Sequence, residues 1–242
     1  KAGSSDSYLS DMTAVNGSLY FEADDGTNGK ELWKSNGTEA GTVMVKDINV
    51  GFDGSYPNYL TVMDGLLYFT ANEGTNGHEL WKSDGTEAGT VKVKNINEVL
   101  GNSYPKGLIA VDGLLYFGAD DGINGEELWK SDGTEAGTVI VKDIYAGWRS
   151  SSLHYLTSVG GLLYFRASDE SNGYELWKSD GTEAGTVMVK DINAGPSSSY
   201  PHSLTVVDGL LYFTANDVLW AYPLKETRRR LPVPAINLLL MQ

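Results

Sequence analysis

A chain of 242 residues is long enough for one or two ordinary domains, and 41% hydrophobic residues supply ample material for a core. With 18 basic against 32 acidic residues the net charge is −14, a surface that repels phosphate backbones and excludes nucleic acid as a partner. Cysteine is absent, which excludes a disulfide framework and thiolate metal sites but fixes no compartment.

The chain opens on polar Lys1-Ala2-Gly3-Ser4-Ser5, as expected of a processed or trimmed N-terminus. From there one unit of 48 residues recurs. The tyrosines of a Leu-Tyr-Phe triplet, Tyr20, Tyr68, Tyr116, Tyr164 and Tyr212, are each 48 residues from the last, and Trp33, Trp81, Trp129 and Trp177 keep the same step. The units run over about 8–55, 56–103, 104–151, 152–199 and 200–242, and repeated units share one continuous core, so 1–242 is expected to be a single domain.

Each unit predicts four strands. In the second copy, 59–63 precedes an Asp64-Gly65 turn, 66–71 follows it, and the Asn72 to Gly77 loop leads to 79–83. Asp84 to Gly89 then turns into a strand over 90–94. Asp-Gly between apolar runs is a strong hairpin signal, because glycine accepts the positive φ of a tight turn. The runs are β-branched and aromatic, and no segment carries a helical period. In the fifth copy Trp220 comes early, because the preceding loop is five residues shorter, and no Ser-Asp-Gly-Thr follows it. The tail, Arg228-Arg229-Arg230 and then an apolar run from Leu231 to Met241, departs from the pattern. It is expected to be a strand over 231–240 that seals the fold, with a truncated membrane anchor as the alternative.

Four antiparallel strands per 48 residues is the arithmetic of a propeller blade. The fold class is therefore all-β, a five-bladed β-propeller of four-stranded blades with an atypical fifth. The coils of a β-solenoid are shorter and lack paired hairpins. Glu-Leu-Trp-Lys-Ser-Asp-Gly-Thr-Glu-Ala-Gly-Thr at 79–90, 127–138 and 175–186, with Asn36 for Asp in the first copy, resembles the ELWxxDGTxxGT repeat of large secreted or surface proteins of bacteria. The resemblance covers about residues 8–220 and implies a secreted or cell-surface location. Blade count and period are also similar to the tachylectin-2-like five-bladed lectins, an analogy of architecture that implies carbohydrate binding.

Strand direction separates two faces. The turns between first and second and between third and fourth strands are uniform, and their Ser-Asp-Gly-Thr segments resemble the Asp-box of other propellers. Asp84, Asp132 and Asp180 are accordingly expected to form turns, and the tryptophans to pack in the core. The opposite face varies from copy to copy. Its Ser-Tyr-Pro linkers present Tyr56, Tyr104 and Tyr200, which are expected to stack on sugar rings beside loop residues Asn76, Asn124 and Asn172. The acidic loops of the first and third copies offer Asp24, Asp25, Asp120 and Asp121 as oxygen ligands for calcium, the alternative being plain polar turns; no cofactor is required. At the mouth of the central channel, Asn58, Lys106, His154 and His202 occupy equivalent positions and would form an anion or metal site. The ring that follows them, Asp11, Tyr59, Gly107, Tyr155 and Ser203, holds a single carboxylate. Glycosidic catalysis needs two, and no nucleophile–base pair stands out, so the chain is expected not to be an enzyme.

The expected function is an extracellular, non-catalytic binding module, multivalent toward glycan on the variable face. The alternative is a structural or protein-interaction subunit of a bacterial cell-surface assembly. Partners are then an extracellular glycan or a surface protein, with membrane contact only through the tail.

Overall fold

A computed structural model describes residue 7 and residues 9–99, 101–224 and 239–240. The first sheet holds β1 (Ser10–Val15), β2 (Ser18–Asp24), β3 (Lys30–Ser35) and β4 (Val43–Lys46). The second holds β5 (Asn58–Met63), β6 (Leu66–Asn72), β7 (His78–Ser83) and β8 (Val91–Lys94), and the third β9 (Lys106–Val111), β10 (Leu114–Asp120), β11 (Glu126–Ser131) and β12 (Val139–Lys142). The fourth comprises β13 (His154–Val159), β14 (Leu162–Asp169), β15 (Gly173–Ser179) and β16 (Val187–Lys190). The fifth has three antiparallel strands, β17 (His202–Val207), β18 (Leu210–Ala215) and β19 (Val218–Pro223), and a two-residue β20 (Leu239–Leu240) parallel to β19. The described residues contain no helix, and hence none long and apolar enough to cross a membrane. The strands expected in the second copy lie within one residue of those observed. Of the expected sealing strand, all but β20 lies outside the described residues.

Apart from β20, each sheet is an antiparallel meander, and the first strands of successive sheets lie side by side. Thr13 and Thr61 each donate a hydroxyl hydrogen bond to the carbonyl of the next sheet's first strand, Leu60 and Leu108. This is an all-β architecture of five sheets, consistent with a five-bladed β-propeller. The short turns have the backbone the sequence demands: Asp64 and Gly65 lie at φ 51° and 77°, the left-handed pair of a hairpin turn.

Blades pack face to face because strands two and three are apolar on both sides. In the second blade Phe69 sits opposite Trp81 in the register, and these two with Leu67 and Ala71 form the leading face. That face packs on Val15, Tyr20, Leu32, Val45 and Ile48 of the first blade's trailing face. The same interface recurs between the second and third, third and fourth, and fourth and fifth blades. Among the described residues no fifth core joins the last blade to the first. Val207 and Leu219 are 49% and 43% exposed, whereas their counterparts Met63 and Leu80 are 4% and 0%. On the first blade, Leu9, Phe21, Ala23, Trp33 and Thr42 line an open 230 Å³ cleft.

The Glu-Leu-Trp-Lys-Ser-Asp-Gly-Thr motif is what fastens one blade to the next. Lys34, Lys82 and Lys130 donate to the carbonyls of Gly85, Gly133 and Gly181, the turn glycines of the following blade. Lys46, Lys94 and Lys142 reach Thr90, Thr138 and Thr186 in the same way. Asp84, Asp132 and Asp180 accept from the backbone N–H and hydroxyl of the threonine two residues on, which holds their carboxyls below the usual range. They are turn-formers, as expected.

A Cβ on Gly133 would meet the Tyr68 hydroxyl at 2.1 Å, and its φ is +85°. Gly37 has φ +88° but nothing within 4 Å, because among the described residues no tyrosine of another blade reaches it. Gly133→Ala is therefore expected to cost about 2–3 kcal/mol, from left-handed strain plus overpacking, against about 1 kcal/mol for Gly37→Ala. Thermal melting of the two variants checks this, and equal losses would contradict it.

Candidate functional site

The variable face is built by a backbone brace. In each of the first four blades the carbonyl that begins strand three accepts a hydrogen bond from the next linker: Lys30 from Ser55 and Tyr56, His78 from Ser103 and Tyr104, Glu126 from Ser151, and Tyr174 from Ser199 and Tyr200. The linker tyrosines take left-handed φ values of 51°, 44° and 50° at Tyr56, Tyr104 and Tyr200, and Ser152 shares that conformation at 49°. Non-glycine residues adopt it at a cost of about 1 kcal/mol or more. The brace aims each tyrosine over the side chain below. The Lys30 ammonium sits 5.9 Å from the Tyr56 ring, His78 stacks on Tyr104 at 5.6 Å, and Tyr174 stacks on Tyr200 at 5.5 Å. The three linker rings remain 50–60% exposed.

Beneath the linkers lie buried carboxylates that the sequence reading passed over. Glu31, Glu79, Glu127 and Glu175 of the repeat motif are fully buried. Glu127 accepts from the N–H groups of Ile144, Tyr145 and Ser151, and Glu31, Glu79 and Glu175 hold their linkers in the same way. Burial pushes all four carboxyls up against the pull of these donors, Glu127 to about 7.

Between the second and third blades, Tyr56, Asn58, Tyr59, Thr70, His78, Tyr104 and Lys106 line a 240 Å³ cleft. Burial lowers the His78 pKa, so its ring is neutral at pH 7 and presents an apolar face to stack on. A second cleft of 380 Å³ includes Lys106, His154 and Tyr155 at the axis. Two of the expected tyrosines, Tyr56 and Tyr104, thus share one cleft with Asn58 and Lys106, while Tyr200 lies by the fourth blade.

The loop asparagines do not join them. The Asn76 amide bonds Glu73, while the amides of Asn124 and Asn172 bond Asp121 and Asp169, each three residues back in its own loop. Each amide thus donates within its own loop, which fixes the side chain there while its carbonyl oxygen stays able to accept. Asp24, Asp25, Asp120 and Asp121 likewise accept N–H groups of their own loops. Among the described residues no three His, Cys, Asp or Glu side chains converge to hold a metal ion, so the calcium expectation gains no support.

The axial cluster is also rearranged. Lys106 pairs with Glu126 at 2.7 Å, and Asn58 accepts the N–H of Tyr59. The two histidines flank Tyr155, at 6.0 Å for His154 and 6.3 Å for His202. Carboxylates also lie nearer the mouth than expected. Glu22 accepts from Ser10 and Lys30, and Glu126 from the N–H of Leu153.

A position overlooked in the sequence is the variable residue of Leu-Tyr-Phe-x-Ala, which is Glu22, Thr70, Gly118, Arg166 and Thr214 in turn. It pairs in register with Ser10, Asn58, Lys106, His154 and His202, so it stands at the channel mouth. Its variation inside a constant frame was the available signal. In the fourth blade the Arg166 guanidinium lies 5.0 Å from the Tyr155 ring, 5.3 Å from Tyr174 and 6.0 Å from Tyr200.

No protein-family model matches the chain, and no curated protein sequence matches it. Solved structures do resemble it in fold. A puromycin hydrolase is similar over 85% of this chain with 17% identity and a TM-score of 0.50. A puromycin-hydrolyzing peptidase of Mycobacterium tuberculosis is similar over 88% with 11% identity and a TM-score of 0.52. The chain spans 33% and 38% of those proteins' lengths. Both are named as hydrolases, which corrects the expectation that the chain is not an enzyme: sheets of this arrangement occur in catalytic proteins, and a missing carboxylate pair at the mouth does not set the fold apart from them. At these identities the likeness reaches the fold alone.

Proposed function

We propose that the chain is a glycan-binding module of a secreted or cell-surface protein, binding through the clefts of its variable face. The observation that carries this reading is the braced aromatic pair, above all His78 under Tyr104 beside a 240 Å³ cleft. Sugar rings pack their C–H faces on exposed aromatics, and the backbone that holds these rings is already in its strained conformation before a ligand arrives. The resemblance of the Glu-Leu-Trp motif to repeats of bacterial surface proteins supports the location. Braced tyrosines recur at Tyr56, Tyr104 and Tyr200, and repeated weak sites raise avidity by about 10²–10⁴ on a multivalent surface.

A glycan array probed with the folded chain tests this. Tyr104→Ser places at the second linker the residue that the third already carries at Ser152, so the fold should persist. It is expected to weaken binding about tenfold. If no glycan is retained by the folded wild type, the reading fails, and a structural or protein-interaction role takes its place.

A further inference from the structure

Three cations approach the channel mouth, and two of them are neutralised. Lys30 pairs with Glu22 and Lys106 with Glu126, both at 2.7 Å. Arg166 differs. Among the described residues it has no carboxylate partner, and its Nε is buried without a hydrogen-bond partner. Its charge rests against the faces of Tyr155, Tyr174 and Tyr200, a cation–π setting that holds the guanidinium in place but leaves its donors unspent. In a chain of net charge −14, an arginine without an acid is a local reversal of sign. Around it the surface is open and ringed: Tyr155 and Tyr200 are 50% and 56% exposed, and His154 and His202 flank Tyr155.

We propose that this Arg166 cage, between the fourth and fifth blades, binds the carboxylate of an acidic sugar such as a uronic acid. The guanidinium would take the carboxylate through parallel N–H bonds, while Tyr155 and Tyr200 pack on the ring that bears it. Tyrosines alone would suit a neutral sugar, and arginine alone would suit any small anion. Their combination selects a ring carrying a carboxylate. This rests on the glycan reading above but concerns a different place on the same face, because the cation in the His78–Tyr104 cleft, Lys106, is paired with Glu126. Places on one face would thus differ in ligand chemistry through the residue at the x of Leu-Tyr-Phe-x-Ala.

The test is calorimetric titration of the 242-residue chain with a uronic-acid trisaccharide, the same trisaccharide methyl-esterified, and inorganic phosphate. Wild type is expected to prefer the free acid over the ester by about 10- to 100-fold. Arg166→Thr should abolish that preference, bringing acid and ester to equal affinity. Threonine stands at the equivalent positions Thr70 and Thr214, so the variant should fold, and its melting curve verifies this. Equal binding of acid and ester by wild type, or a preference that survives in Arg166→Thr, would overturn the proposal while the glycan reading stood. Displacement of the acid by an equal concentration of phosphate would also overturn it, by making the site a plain anion pocket. If no saccharide binds at all, both readings fall together.

Discussion

Glu127→Ala should lower stability by about 4 kcal/mol, and with it the melting temperature by roughly 10 °C. The carboxylate is fully buried and satisfies the N–H groups of Ile144, Tyr145 and Ser151. Alanine would leave those donors facing apolar surroundings at about 1–3 kcal/mol each, less what an entering water restores. Glu127→Gln should cost less and change the pH dependence. The folded carboxyl titrates at about 7 and the free one at 4.5, so between these values the folded state holds a proton that the unfolded chain has released. The stabilisation is complete below pH 4.5 and is lost as pH rises to 7, by up to about 3 kcal/mol for this group. Glutamine has no proton to lose. Denaturant melts at pH 4.5 and 7 should therefore show a shallower decline for Glu127→Gln than for wild type. Parallel declines would contradict the assignment.

Trp129→Ala should cost about 4 kcal/mol, while Trp33→Ala should cost less than half as much. Both tryptophans sit at the same place in the repeat, opposite Phe117 and Phe21 in register. Trp129 is 6% exposed and packs in the core shared with the second blade. Trp33 instead borders the open cleft on the first blade's leading face, so its removal widens a space that solvent already enters. Chemical denaturation of the two variants measures the difference. Equal costs would mean that the first blade's leading face is covered in solution.

Much of the fold was legible because a period multiplies each local signal. Asp-Gly turns, alternating strands and the 48-residue step placed the second blade's strands to within a residue. The buried glutamates were not legible. A charged residue at the start of a strand reads as exposed, and only the path of the linker over it, 17 to 24 residues later in the chain, supplies the donors that allow its burial. Lys106 was misjudged for a similar reason, since its partner Glu126 belongs to a strand two places further along the sheet order. The loop asparagines lay within reach of inference, because an acid three residues before an amide is a self-contained turn. Arg166 was hidden by its setting, a single changing letter inside a run that otherwise reads as core.

The lysine ties between blades all point the same way, from strand three or four of one blade to a turn of the next. The stack therefore has a polarity, like a row of hooks and eyes. Two leading faces brought together would set turn against turn with no lysine between them. Two trailing faces of the first three blades would oppose like charges, whereas the fifth blade carries Ala221 at the place of Lys82. A further blade fastened by such a tie must offer the same turn to the same lysines, so within the first four blades the joining is head to tail.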